Sequence, residues 1–265
     1  MAQASAIKFA TMPARVIIAD SLQKIPDAPV DGHPTVVYWA ICGLAQPIRY
    51  ALECVGGDYV DVRVHWGPAE PTEGPVTPGY KQLWKDRKVD LEQTQLFPNL
   101  PYYMETDAQL GTVTLVQSNA ILRHLGRKKP SLLGGSQEHM CDMALEQGGD
   151  LDKAITPMMY GNFGAAAPWC KEALPGMLSH WARMIGDKKF LVSDELTIAD
   201  LKVYECFRKI RLIEVEPSVG TSTLASNKVV MDYIDRVESA EPMKSYLASA
   251  QFLARPLNNA HAQFK

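Results

Sequence analysis

Residues 96–128, LFPNLPYYMETDAQLGTVTLVQSNAILRHLGRK, constrain the fold more than any other stretch of the chain. Leu100–Pro101 stands between Asn99 and a strand-like run, Pro101–Glu105. Proline removes an N–H there and permits a cis peptide bond. A cis bond would turn the Leu100 backbone outward, leaving its N–H and C=O to pair with an extended peptide as a sheet edge does. Further on, Gln117-Ser118-Asn119 separates the strand-like Val113–Val116 from a helical run, Ala120–Lys128. Such a strand-to-helix turn presents unpaired N–H groups and the positive end of the helix dipole, which suits a carboxylate. Together the two features describe a groove for a short, acidic, extended peptide.

FPNLPYY followed by QSNAILRHLGRK resembles the thioredoxin-like domain of glutathione transferases, and most of all the mu class. The resemblance extends over roughly residues 35–255, and the first 34 residues have no counterpart in it. It implies an α/β plus all-α architecture. A thioredoxin-like N-terminal domain occupies 35–129, an all-helical domain 137–255, and a tail 256–265.

Hydrophobic periodicity agrees with that plan. Thr35–Ala40 is rich in β-formers and reads as the first core strand. Ala45–Val55 carries Ile48, Leu52 and Val55 at helical spacing, with Pro47 in the first turn where it is tolerated. Tyr59–His65 alternates Val60, Val62 and Val64 with polar residues, a half-buried strand. Gly67, Pro68, Pro71, Gly74, Pro75, Pro78 and Gly79 mark a loop, followed by a short helix at Tyr80–Lys88. Strands at about 101–105 and 112–116 enclose an Asp107–Gly111 hairpin, and a helix over 117–128 closes the unit. The β-α-β opening predicts a parallel pair with a right-handed crossover, and the hairpin adds an antiparallel strand.

Beyond a linker at Lys129–Ser136, β signals stop and helical patterns occupy about 137–165, 169–186, 197–213, 226–238 and 242–253. Gly148, Gly149 and Pro157 predict a kink in the first of these. Thr197-Ile198-Ala199-Asp200 reads as a capping box, a structural device. Residues 1–34 read as an extension, either poorly ordered or targeting. Their first 19 residues hold Lys8 and Arg15 but no acid before Asp20, a weak match to an organelle transit peptide, and no secretory signal is evident.

Composition narrows the partners. Net charge is −3 over 265 residues with a pI of about 6.1, which offers no electrostatic footprint for nucleic acid or an anionic membrane. No apolar run reaches the length of a membrane helix. Cys42, Cys54, Cys141, Cys170 and Cys206 are odd in number and never spaced CxxC, so they read as reduced thiols in the cytoplasm or another reducing compartment, with no metal site.

The resemblance implies glutathione as co-substrate, with no other cofactor. Only a few per cent of a free thiol is ionised at neutral pH, and a hydrogen-bond donor aimed at the sulfur favours the thiolate. By similarity, Tyr38 in YWAICGLAQPIR is that donor; on composition alone it would equally serve as a core aromatic. The resemblance further implies that Trp39 and Leu44 border the peptide, and that Trp84 and Lys88 meet its glycine carboxylate. Asn99 and Leu100 would hold its central backbone, and Gln117 and Ser118 its γ-glutamyl carboxylate. Asp150 matches an acid that reaches across a homodimer to the ligand's ammonium group, and Tyr160 a second tyrosine lining the electrophile pocket. Residue type alone leaves Lys88 and Asp150 open as solvated charges, Ser118 as an ordinary N-cap and Tyr160 as packing.

Two residues depart from the mu pattern: Ala40 stands for a usual asparagine and Cys42 for a usual arginine, and Cys42 raises a redox question beside bound glutathione. The expected activity is conjugation of the glutathione thiolate to an apolar electrophile. A non-catalytic glutathione-binding or structural protein on the same scaffold is the alternative.

Overall fold

A computed structural model describes residues 15–66 and 81–265. The expected loop at 67–79 and the transit-like residues 1–14 lie outside the described residues. In chain order the structure has β1 (Arg15–Ala19), β2 (Thr35–Trp39), α1 (Gln46–Val55), β3 (Val60–Val64) and α2 (Gln82–Leu91). These are followed by β4 (Tyr102–Asp107), β5 (Gly111–Val116) and α3 (Ser118–Lys128). The second unit is helical: α4 (Glu138–Gly161), α5 (Ala166–Glu172), α6 (Leu174–Ile185), α7 (Ile198–Glu214), α8 (Lys228–Ser239) and α9 (Met243–Leu247).

The five-stranded sheet has the order β1-β3-β2-β4-β5. β2 and β3 are parallel, β4 runs antiparallel to β2, and β4–β5 form the hairpin, as the sequence predicts. Its two faces bury different sets of residues. Val36 and Tyr103 pack with Ile48 and Tyr50 of α1, Ile121 of α3 and the helical unit. Val37, Val62, Tyr102 and Met104 pack with Trp84 and Leu91 of α2. The alternation along each strand produces this division.

Residues 15–34 depart from the reading of 1–34 as a bare extension. Arg15–Ala19 pairs in parallel with β3, Arg15 opposite Val60 and Ala19 opposite Val64. Val16, Ile17 and Ile18 are β-branched and complete the sheet edge. The tail departs likewise: Leu257, Ala262 and Phe264 of the 256–265 stretch are buried. Phe264 stacks on Phe163 at 4.8 Å, and its backbone N–H bonds the Met159 carbonyl.

The predicted 169–186 helix is two helices, because Pro175 in the first turn of α6 cannot donate to the preceding turn. The predicted 242–253 helix is only Met243–Leu247. α4 continues through Pro157 as one helix. Gly148 has a packing reason: a Cβ there would lie 3.0 Å from Val203 and 3.1 Å from the Lys202 stem, so its absence lets α7 approach. Thr197 and Asp200 form the expected cap, with the Thr197 N–H donating to the Asp200 carboxylate at 2.8 Å.

Candidate active site

β2 delivers Tyr38 and Trp39 to the end of the sheet, where the chain turns through Gly43 into α1. Tyr38 is 7% exposed. Its hydroxyl oxygen accepts the Leu44 N–H at 3.2 Å, and no acceptor among the described residues takes its proton. Burial raises its pKa to about 12, against a smaller opposing effect of the Leu44 amide. The hydroxyl therefore stays protonated at neutral pH and is left with a proton to donate. Gly43 makes the close turn: at φ +44° it favours glycine, and a Cβ there would sit 2.6 Å from the Tyr38 ring and hydroxyl.

Trp39, Trp84, Leu100 and Tyr38 share one packed cluster. Trp39 meets Trp84 edge-on at 6.5 Å, and Trp84 stacks on Tyr102 at 6.3 Å. Lys88 follows Trp84 by one turn of α2 on the same side of the helix, Trp84 buried and Lys88 half-buried, and Lys88 has no ion pair among the described residues. Leu44 is exposed at the mouth. Leu100–Pro101 is cis. The exposed Asn99 folds back, its Oδ1 accepting the Leu100 N–H at 2.9 Å.

Gln117 caps α3 with φ +71°, a left-handed backbone that costs a non-glycine residue about 1–3 kcal/mol. Its side chain is exposed and Ser118 is half-buried; neither makes a hydrogen bond among the described residues. The first amides of α3 therefore face outward with two uncommitted polar side chains, a carboxylate-binding arrangement.

Tyr160 ends α4, its oxygen accepting the Asn259 N–H at 3.2 Å, and burial raises its pKa. Asp150 does not join this group. It is exposed, pairs with Lys153 at 3.0 Å, and lines a cleft between α4 and α6 with Gln147, Met177 and Trp181. Ten helical residues carry the chain about 15 Å from Asp150 to Tyr160.

Cys42 is fully buried. Its thiol donates to the Leu253 carbonyl at 3.0 Å and accepts from Arg208 at 3.3 Å, and burial pushes its pKa up. The C-terminal segment covers it: the Cys42 and Gly43 amides bond the Pro256 and Leu257 carbonyls at 2.9 and 3.0 Å. All five cysteines are free and buried. Among the described residues, no group of three or more acidic, cysteine or histidine side chains could hold a metal, and no helix is long and apolar enough to cross a membrane.

Residues 149–250 match the family model "Glutathione S-transferase, C-terminal domain". Glutathione S-transferase Mu 1 of Macaca fascicularis is 30% identical over 227 residues, 84% of this chain and 94% of the relative. The chain belongs to the glutathione S-transferase family. A glutathione S-transferase of Dermatophagoides pteronyssinus is 31% identical over 225 residues, 83% of this chain and 92% of the relative. Among solved structures, the Pi-class glutathione S-transferase of Onchocerca volvulus superposes with a TM-score of 0.67 at 22% identity, covering 87% of this chain and all of the other. The glutathione S-transferase Blo t 8 gives 0.70 at 20%, covering 87% and 99%. A glutathione S-transferase fold thus spans both units.

Sequence reasoning missed a buried charge network between α4 and α7. Asp152 accepts from Lys209 at 2.8 Å and from Lys202 at 3.0 Å, all three buried. Beside them Glu205 holds Arg208 through two bonds, 2.8 and 2.9 Å, and accepts from the Tyr50 hydroxyl at 2.9 Å. The signal was present in TIADLKVYECFRKIRLIE, where charges interrupt an otherwise apolar helix.

Proposed function

We propose that this glutathione transferase binds glutathione in the groove between α2, the Leu100–Pro101 turn and the α3 N-terminus, and conjugates its sulfur to an apolar electrophile. The observation that carries the reading is the Tyr38 hydroxyl, buried, neutral and with an uncommitted proton at the sheet end. Donation to the sulfur favours thiolate, and holding both reactants in one pocket supplies proximity. The tripeptide would lie along Trp39 and Leu44. Its glycine carboxylate would meet Trp84 and Lys88, its central backbone Asn99 and Leu100, and its γ-glutamyl carboxylate Gln117 and Ser118. The Leu100 N–H, now held by Asn99, would exchange that partner for the ligand's carbonyl.

Tyr160 faces the acceptor side, where its remaining proton suits a leaving group. The exposed Asp150, on the cleft between α4 and α6, suits a homodimer in which it serves the partner's ligand. Five free, buried thiols fit the cytoplasm or another reducing compartment, and a detoxifying role follows from the chemistry.

The test is incubation of the purified chain with glutathione and an activated aryl halide, following thioether formation. Turnover above the uncatalysed rate supports the reading. Retention of glutathione with no turnover contradicts the catalytic half, and no retention contradicts the groove.

A further inference from the structure

Residues 15–34 do more than extend the sheet edge. The segment is tied at both ends: the Ala19 carbonyl accepts the His65 N–H at 2.9 Å, and the Val30 N–H donates to the Thr35 hydroxyl at 3.0 Å. Between those ties the chain makes one 3₁₀ turn, Leu22–Lys24, and buries Ile25 completely. Ile25 shares an apolar cluster with Trp84, Leu91 and Tyr102. The Pro26 carbonyl accepts from the Tyr102 hydroxyl at 2.6 Å, and the Tyr102 ring is the one stacked on Trp84. Asp27 pairs with Arg87, the residue before Lys88, at 3.1 Å. Three successive residues thus act on α2: by packing, through Tyr102, and by an ion pair.

α2 needs such support. Only Trp84 and Leu91 of this helix are buried, while Lys85, Asp86, Arg87, Lys88 and Asp90 carry charge. A short helix with so narrow an apolar face holds its place through tertiary contacts rather than its own propensity. Among the described elements, the Leu22–Lys24 turn is the one that α2 meets most extensively. Trp84 and Lys88 both stand on α2, so whatever fixes the helix fixes both. Tyr38 stands on β2, and Gln117 and Ser118 at the start of α3. Ile25, Pro26 and Asp27 make no hydrogen bond or ion pair to either of those elements among the described residues.

We infer that Ile25, Pro26 and Asp27 are positioning residues for the glycine end of glutathione: they hold α2 where Trp84 and Lys88 meet that carboxylate. They thereby set the preference for the tripeptide over a peptide that lacks glycine. This rests on the reading of Trp84 and Lys88 as carboxylate ligands.

The test compares glutathione with γ-glutamylcysteine, which lacks only the glycine. Calorimetric Kd for each peptide, and KM and kcat with an activated aryl halide, are measured in the unaltered chain, Ile25→Ala, Ile25→Val and Asp27→Ala. The unaltered chain should bind glutathione more tightly than the dipeptide. In Ile25→Ala, Kd and KM for glutathione should rise about fivefold, because α2 is correctly placed in a smaller fraction of molecules. Dipeptide affinity and kcat at saturating glutathione should hold, and Ile25→Val should recover most of the preference. Asp27→Ala changes an exposed side chain and should shift glutathione affinity the same way by about twofold. Variants that discriminate between the peptides as the unaltered chain does, whatever their Tm, would overturn the inference alone. Should Ile25→Ala fail to fold, an unmoved preference in Asp27→Ala would overturn it as well. An unaltered chain that binds both peptides equally would overturn the carboxylate assignment and this inference with it.

Discussion

The Leu44 amide donates to the Tyr38 hydroxyl oxygen at 3.2 Å, across a turn of only five intervening residues. That bond fixes the direction of the tyrosine's own proton, because the amide occupies one side of the oxygen. The turn closes this tightly because residue 43 is glycine. Gly43→Ala would bring a methyl to 2.6 Å from the ring at a φ of +44°. The expected outcome is a loss of about 1–3 kcal/mol in unfolding free energy and a larger relative loss of turnover, read by denaturant melts and initial rates. Unchanged stability and rate would mean that the turn does not hold Tyr38.

Ser118 separates binding from chemistry. Ser118→Ala removes one hydrogen bond to a charged group, which costs about tenfold in glutathione affinity. Calorimetric titration should show weaker binding while kcat at saturating glutathione is retained. Unaltered affinity would remove Ser118 from the carboxylate site.

The thiol of Cys42 lies beneath the C-terminal segment, bonded to Leu253 and Arg208. A neutral, covered thiol reacts slowly. In the full chain Cys42 should resist alkylation, and a chain ending at Ala250 should expose it, as read by peptide mass mapping after iodoacetamide. Rapid labelling in the full chain would contradict the covered geometry and reopen a mixed disulfide with glutathione.

Asp152 ties α4 to α7. Burial alone would raise its pKa, but Lys209 and Lys202 outweigh this and hold it well below the usual carboxylate range. A carboxylate depressed in the folded state contributes stability above its unfolded value, about 4, and loses that contribution as pH falls through the folded value. Asp152→Asn leaves two buried ammonium groups without a counter-ion, an expected cost of about 3–5 kcal/mol at neutral pH. The difference in Tm between the two proteins should narrow on acidification below pH 4. A constant difference would show that the ion pairs are not its source.

The sheet from β2 onward was legible because its signals are local: β-branched alternation at 60–64, a proline before β4 and a hairpin at 107–111. The proposed site residues Tyr38, Trp84, Leu100 and Gln117 came from the resemblance to glutathione transferases carried by FPNLPYY and QSNAILRHLGRK. β1 was not legible, since five residues pair with a strand 45 positions later and nothing in RVIIA names that partner. The tail was missed for the same reason: its order comes from Met159, Tyr160 and Cys42, far away in sequence. Buried charges such as Lys209 were not legible, because only the fold brings Asp152 of α4 opposite them.

The central claim is that Tyr38 makes the sulfur reactive without holding the peptide. The most direct measurement is glutathione affinity and aryl-halide conjugation in Tyr38→Phe, side by side with the unaltered chain. The account predicts unchanged affinity, a kcat lower by about 10²–10³-fold at neutral pH, and recovery of rate as rising pH ionises the thiol unaided. A Tyr38→Phe protein that conjugates at the original rate across the pH range would contradict it.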